Sequence, residues 1–219
     1  WAQDNTREAI LQAFARREVY ATTGPRIAVR FDGGWFPSTA DSAQPDQAGA
    51  PHATADSPAS VPMGSELPLP APAHHVPEFS VTAMKDPKGA NLDRIQVIKG
   101  WVDARGESHE RIFDVAWSGE RAPDSAGAVA AVGNTVDSST ARYENAIGSP
   151  TLQARWRDPA FDPAESAFYY ARVLEIPTPR HSLYAAVAQG KTSPGTWPAS
   201  LQERAYTSPI WYHPTAAAQ

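Results

Sequence analysis

The sequence predicts a mainly β protein: an antiparallel β-sandwich preceded by a short helix–strand piece. Three observations lead there. Apolar residues alternate with period two in several short runs, among them Phe79, Val81 and Ala83, then Phe113, Val115 and Trp117, then Leu152, Ala154 and Trp156, and that period is the mark of a half-buried strand. Turn chemistry separates the runs, as at Asp86-Pro87-Lys88-Gly89. The 21 prolines in 219 residues are nearly twice the average usage of about 5%, and proline removes a donor from helix interiors. No alternation of strands with long helices follows, which argues against a doubly wound sheet.

The chain begins at Trp1, without a Met start or a signal-type charged region, and reads as a piece cut from a longer protein. A helix is expected over residues 6–17. Asn5 would cap it and Glu8, three residues on, would close a capping box. Ile10, Ala13 and Phe14 recur at helical spacing and would form its buried stripe. Arg16 and Arg17 fall in the last turn, where the helix dipole favours cations. Val19–Thr22 reads as a short strand, and Gly24-Pro25 forces a turn. A second strand carries Ile27, Val29 and Phe31, and Gly33-Gly34 is expected to end it. Thr22, Thr23 and Arg26 surround the glycine turn. Hydroxyls and a guanidinium in that setting suit phosphate or sulfate, although an ordinary turn uses the same residue types.

Residues 38–62 consist mainly of Ala, Ser, Pro, Asp and Gln, with no Lys or Arg. Such a stretch buries too little apolar surface to offset its ordering entropy, so a surface insertion without regular structure is expected. Strands follow from Glu78. Ile95, Val97, Ile98 and Trp101 mark one of them, and the small residues of 119–140 a long connection.

The stretch Ala167–Glu175, with the return strand Thr207–His213, organises the rest. Phe168, Tyr169, Tyr170 and Val173 suit a pleated surface. Tyr169 stands two residues before Ala171, the spacing of a tyrosine corner and the cysteine after it in an immunoglobulin-like sandwich. Here alanine holds the cysteine position, and the chain has no cysteine. Between the two strands lies an excursion over 176–206 with Pro177, Pro179, Arg180, His181 and Tyr184, a helical turn at Leu183–Gln189, then Trp197 and Arg204. Connections this long are functional or disordered more often than not, and these residues give this one something to dock with.

The chemistry that is missing narrows the function. There is no nucleophile elbow, no phosphate-binding glycine loop and no dinucleotide fingerprint. His52, His74, His75, His109, His181 and His213 form neither a His-x-His nor a His-Glu-x-x-His array, so they specify no metal site. A net charge of −5 argues against a nucleic-acid partner, and no apolar run approaches the ~18 residues of a membrane span.

Several blocks carry a family resemblance. They are Trp1-Ala-Gln-Asp-Asn-Thr-Arg-Glu-Ala-Ile, Tyr20-Ala-Thr-Thr-Gly-Pro-Arg-Ile-Ala-Val-Arg-Phe, Lys85-Asp-Pro-Lys-Gly-Ala-Asn-Leu-Asp-Arg-Ile-Gln-Val-Ile-Lys-Gly-Trp and Gly133-Asn-Thr-Val-Asp. Phe168-Tyr-Tyr-Ala-Arg-Val-Leu-Glu-Ile-Pro-Thr-Pro-Arg and Gln202-Glu-Arg-Ala-Tyr-Thr-Ser-Pro-Ile-Trp-Tyr complete the set. Together they resemble a family of bacterial proteins known as domain of unknown function 3604. Its longer members look, in their N-terminal part, like the PHP (polymerase and histidinol phosphatase) superfamily of metal-dependent phosphoesterase barrels.

The resemblance implies that residues 1–37 are the last helix and strand of an upstream α/β barrel, 38–77 an insertion or linker, and 78–219 a C-terminal β-sandwich with its long loop at 176–206. It also implies a hydrolase as parent, whose Zn or Mn ligands lie in an N-terminal barrel that this chain lacks and that would be its partner. The fragment would carry no catalytic residue, no metal site and no cofactor of its own. Thr23, Arg26, Arg180 and His181 would approach an anionic small-molecule substrate, with His181 standing where the family pattern leads one to expect an aromatic. The alternative from another class is a stand-alone sandwich that binds carbohydrate or protein, and a third reading is a structural lid or dimerisation domain. Periplasmic or extracellular placement is an expectation from the resemblance and the lack of cysteine.

Overall fold

The computed structural model describes residues 1–37, 60–69, 74–191 and 195–214. In chain order the elements are α1 (Arg7–Ala15), β1 (Tyr20–Thr22), β2 (Ala28–Pro37), β3 (Val61–Pro62), β4 (His75–Met84), β5 (Leu92–Val102) and β6 (Ser108–Trp117). Then come β7 (Thr151–Arg157), β8 (Ser166–Glu175), β9 (Thr178–Pro179), α2 (His181–Ala188), β10 (Ser200–Leu201), β11 (Arg204–Thr207) and β12 (Ile210–Tyr212).

The named strands pair antiparallel throughout. One sheet has the order β1-β11-β8-β5-β6, with β12 also on β8, and the second has the order β3-β2-β4-β7. A two-stranded piece, β9 with β10, stands apart. The two sheets close on a common core of Phe31, Phe79, Ile95, Val97, Tyr169 and Val173. Phe79 from one sheet meets Tyr169 from the other, their ring centroids 4.4 Å apart, within the range where aromatic pairs add to simple burial. The mainly β, sandwich-like architecture read from the alternating runs is therefore the architecture of the chain.

The strands of residues 1–37 belong to both sheets. Tyr20 faces Thr207 in the first, and β2 pairs with β4 along its whole length, from Ala28↔Met84 to Pro37↔His75. Gly33-Gly34 does not end β2, contrary to the expectation. The Phe79 ring lies across Gly33, where a Cβ would come within 2.9 Å of two ring carbons and 3.1 Å of Ile210 Cδ1. Glycine is there to admit the ring, so it marks a close approach within a strand.

Helix α1 also departs from expectation. Its cap is Thr6, whose hydroxyl accepts from Ala9 N at 3.2 Å. Counted from Thr6, Glu8 is one residue too early for a capping box. Of the expected stripe only Ala13 is buried; Ile10 is 39% exposed and Phe14 61%. The apolar face points to solvent because nothing among the described residues covers it.

The insertion expected without regular structure lies mostly outside the described residues. Its end does not: Val61–Pro62 pairs with Gly33 and Asp32, and Met63 and Leu67 join the core. The excursion after β8 is shorter than expected, because β11 begins at Arg204 and the return strand is split. Ala205 faces Val173 and Ile210 faces Tyr169, with Ser208-Pro209 between the two pieces. The helical turn expected at Leu183–Gln189 is α2, anchored by the buried Leu183.

Tyr169 is fully buried, but its hydroxyl does not bond to backbone as a tyrosine corner does. It donates to the Asp158 carboxylate at 2.7 Å. Lys99 Nζ lies 2.6 Å from the same oxygen and donates to Ala160 O at 2.8 Å. A second charged cluster holds the long 119–140 connection. Asp93 Oδ2 accepts from Arg94 Nε at 3.1 Å and from Gln202 Nε2 at 2.8 Å, and Arg121 Nη2 forms an ion pair with Oδ1 at 2.7 Å. The two arginines then donate to Val129 O and Ala130 O.

Candidate functional site

Antiparallel pairing within the sheets and the packing of one on the other gather strand ends at one end of the sandwich, among them the ends of β1, β4 and β8 and the starts of β2, β5 and β11. The chemistry-bearing residues gathered there are Thr23, Arg26, Lys85, Asp86, Glu175 and Glu203.

Asp86 organises the β4–β5 turn. Its Oδ1 accepts from Lys88 N at 3.0 Å, and its Oδ2 accepts from Arg26 N at 2.8 Å. Those backbone donors, Lys88 first, hold its carboxyl below the ordinary range. Arg26 Nε stays 3.5 Å away and its side chain is 83% exposed, so the guanidinium keeps most of its donors for solvent or a ligand. Lys85 Nζ caps the turn carbonyls of Gly89 at 2.9 Å and Asp86 at 3.1 Å.

Under this turn sits Glu175, 1% exposed, with Oε1 lacking a hydrogen-bond partner among the described residues. A Cβ on Gly89 would stand 3.2 Å from that oxygen, so the missing side chain at Gly89 leaves it room. Burial pushes the Glu175 carboxyl up to about 7, and the charges of Glu203 and Asp86 push the same way. Lys85 and the Ala90 N–H oppose them. A carboxyl in that state can hold or release a proton near neutrality. Tyr143 borders the same acids, and its hydroxyl is raised by burial, then by Glu175, Tyr184 and Asp86. The 143–149 loop is tied down by Asn91, whose side chain donates to Asn145 O and Ile147 O at 3.2 and 2.9 Å.

The four residues singled out from sequence divide into two pairs. Thr23 and Arg26 stand beside the acids. Thr23 donates its hydroxyl to Glu203 and accepts from Arg204 N at 2.9 Å, so its one donor is already engaged. Arg180 precedes α2, donating through Nε to Pro198 O at 3.1 Å and through its backbone to Ala199 O at 2.8 Å. His181 is the exposed first residue of α2. Among the described residues no hydrogen bond or ion pair joins this second pair to the first.

Glu175, Asp86 and Glu203 were not foreseen as site residues. A signal for Glu175 existed: Tyr169, Ala171, Val173 and Glu175 share one strand parity, so a carboxylate was due to face inward. Among the described residues, no group of three or more His, Cys, Asp or Glu is placed to hold a metal ion. The carboxylate oxygens of Asp86 accept from Lys88 N and Arg26 N, and the Glu175 carboxyl is buried under the turn.

These features define an antiparallel β-sandwich domain with a polar, charge-bearing end that contains a buried protonatable carboxyl. The chain belongs to the family described as protein of unknown function (DUF3604), whose model matches residues 1–214. No curated protein and no solved structure matches it.

Proposed function

We propose that this chain serves as the C-terminal accessory domain of a metal-dependent phosphoesterase-like hydrolase and helps to shape its substrate site. The observation that supports this most is the bare apolar face of α1. Ile10, Leu11 and Phe14 are all more than a third exposed on one nine-residue helix, and neighbouring apolar residues left exposed mark a contact surface. A self-sufficient binding module has no use for that face, whereas an adjoining catalytic domain would cover it. Arg26 and Arg180 are the residues that would meet an anionic substrate, Arg26 through an exposed planar fork suited to phosphate. They would bind and orient charge without transferring protons.

The test is hydrolysis of a phosphomonoester and phosphodiester panel with Mn²⁺ or Zn²⁺, by the longest natural polypeptide containing this chain and by the chain alone. Activity confined to the longer polypeptide, lowered at least tenfold by Arg26→Ala or Arg180→Ala without loss of folding, supports the proposal. An inactive long polypeptide, or full activity in both variants, defeats it.

A further inference from the structure

The outer face of the larger sheet carries an aromatic shelf, and we infer that it is a binding site for a neutral glycan. In β8 the odd-numbered residues from Ala167 to Glu175 face the core, so Phe168, Tyr170 and Arg172 face out. The Phe168 and Tyr170 ring planes lie within 15° of parallel, with centroids 6.4 Å apart. Phe168 lies across the sheet over Gly100, where a Cβ would stand 2.3 Å from ring Cζ. Ile98, outward on β5, is fully buried yet outside the sandwich core. Its register partners are Tyr170 on one side and Ile112 on the other, which form the cover over it. The rings are thus bedded on the sheet, with Phe168 38% and Ile112 45% exposed.

Polar groups rim the shelf. Glu110 faces Gly100 in register, and its charge reaches Tyr170, as does that of Arg172. Arg172 donates from Nε to Gln96 Oε1 at 2.8 Å, and Gln96 donates to Asp114 Oδ1 at 2.7 Å. That chain fixes the guanidinium while its terminal nitrogens have no partner among the described residues; the Glu110 carboxylate has none either.

An apolar platform with a few fixed polar groups is ligand-site chemistry. A pyranose offers one apolar C–H face to rings and a belt of hydroxyls to the groups beside them. The two charged side chains that reach the Tyr170 ring, the Glu110 carboxylate and the Arg172 guanidinium, balance in charge, which complements a neutral ligand better than a polyanion. A dry interface with an apolar protein surface would bury Glu110 and Arg172 without partners, at high desolvation cost; sugar hydroxyls would satisfy both. The inference does not depend on the hydrolase proposal, since no hydrolysis enters it.

Native affinity electrophoresis in gels containing xylan, mannan or mixed-linkage β-glucan, with heparin as a polyanion control, tests it. Retardation by at least one neutral polymer is expected, weakened tenfold or more by Tyr170→Ala and by Phe168→Ala. Because Tyr170 covers Ile98, the rim variants Glu110→Gln and Arg172→Gln serve as the second arm and should weaken binding at unchanged melting temperature. No retardation by any neutral polymer, retardation that all four variants leave intact, or retardation by heparin alone overturns the inference. So does a concentration-dependent dimer in light scattering that Tyr170→Ala abolishes, since the face would then be a protein interface.

Discussion

Tyr169 and Asp158 share a hydrogen bond of 2.7 Å inside the sandwich, and Lys99 completes the group from 2.6 Å. All three side chains are buried, so each partner satisfies a charge or donor that water cannot reach. Burial and the neighbouring Asp158 charge push the Tyr169 hydroxyl well above its ordinary range, which keeps it a donor at every pH where the fold survives. Lys99→Met leaves a buried carboxylate without its counter-ion and should cost about 3–5 kcal/mol. Tyr169→Phe removes one donor and should cost about 1–3 kcal/mol. Urea unfolding of both variants checks the order. If Tyr169→Phe proved the costlier, the charge would not be the main partner of Asp158.

Glu175 should make stability depend on pH in the direction opposite to a salt-bridged carboxylate. Its folded value lies near 7, against 4.5 for the free group. Between those values the folded chain holds a proton that the unfolded chain has released, so stability falls as pH rises from about 4.5 to about 7 and then levels off. The full effect is on the order of 3 kcal/mol. Glu175→Gln, neutral at all pH, should remove that decline and raise the melting temperature at pH 8. Parallel melting curves for the two proteins from pH 4.5 to 8 would refute the assignment.

Gly33→Ala should destabilise by about 1–3 kcal/mol, the range for overpacking a filled core. The added methyl meets the Phe79 ring and Ile210 Cδ1, and the ring is itself packed on Tyr169 and Phe31. Gly33→Ala combined with Phe79→Leu should recover part of the loss in chemical unfolding. A single variant as stable as the parent would mean that the ring can move aside.

Much of the sandwich was legible because it rests on local pattern. Phe79, Val81 and Ala83, or Leu152 and Ala154, announce their strands by alternation alone, and the core uses all five. The errors arose where a distant residue decides. Gly33-Gly34 looks like a strand end until the Phe79 ring is placed over it. The α1 stripe looks buried because periodicity reports amphipathicity and not whether a partner is present. At the candidate site, Thr23 and Arg26 could be picked from a turn, but the acids beside them come from positions 86, 175 and 203, brought together only by the pairing of β8 with β11 and the packing of the β4 sheet against theirs. The parity of β8 would have shown that Glu175 points inward, though not that its Oε1 has no hydrogen-bond partner among the described residues.

The pairing of Tyr20 with Thr207 has a kinetic meaning. The larger sheet sets an edge strand at residues 20–22 against a strand at residues 204–207, so that sheet stays open until residues 204–212 have been made. Closing so long a loop before any pairing is gained makes folding slow. In the interval β8 presents an unpaired apolar edge, Ala167 to Val173, to any other nascent chain. Synthesis is therefore the stage at which this domain is most exposed to aggregation, and the last dozen or so described residues are the ones that end the exposure.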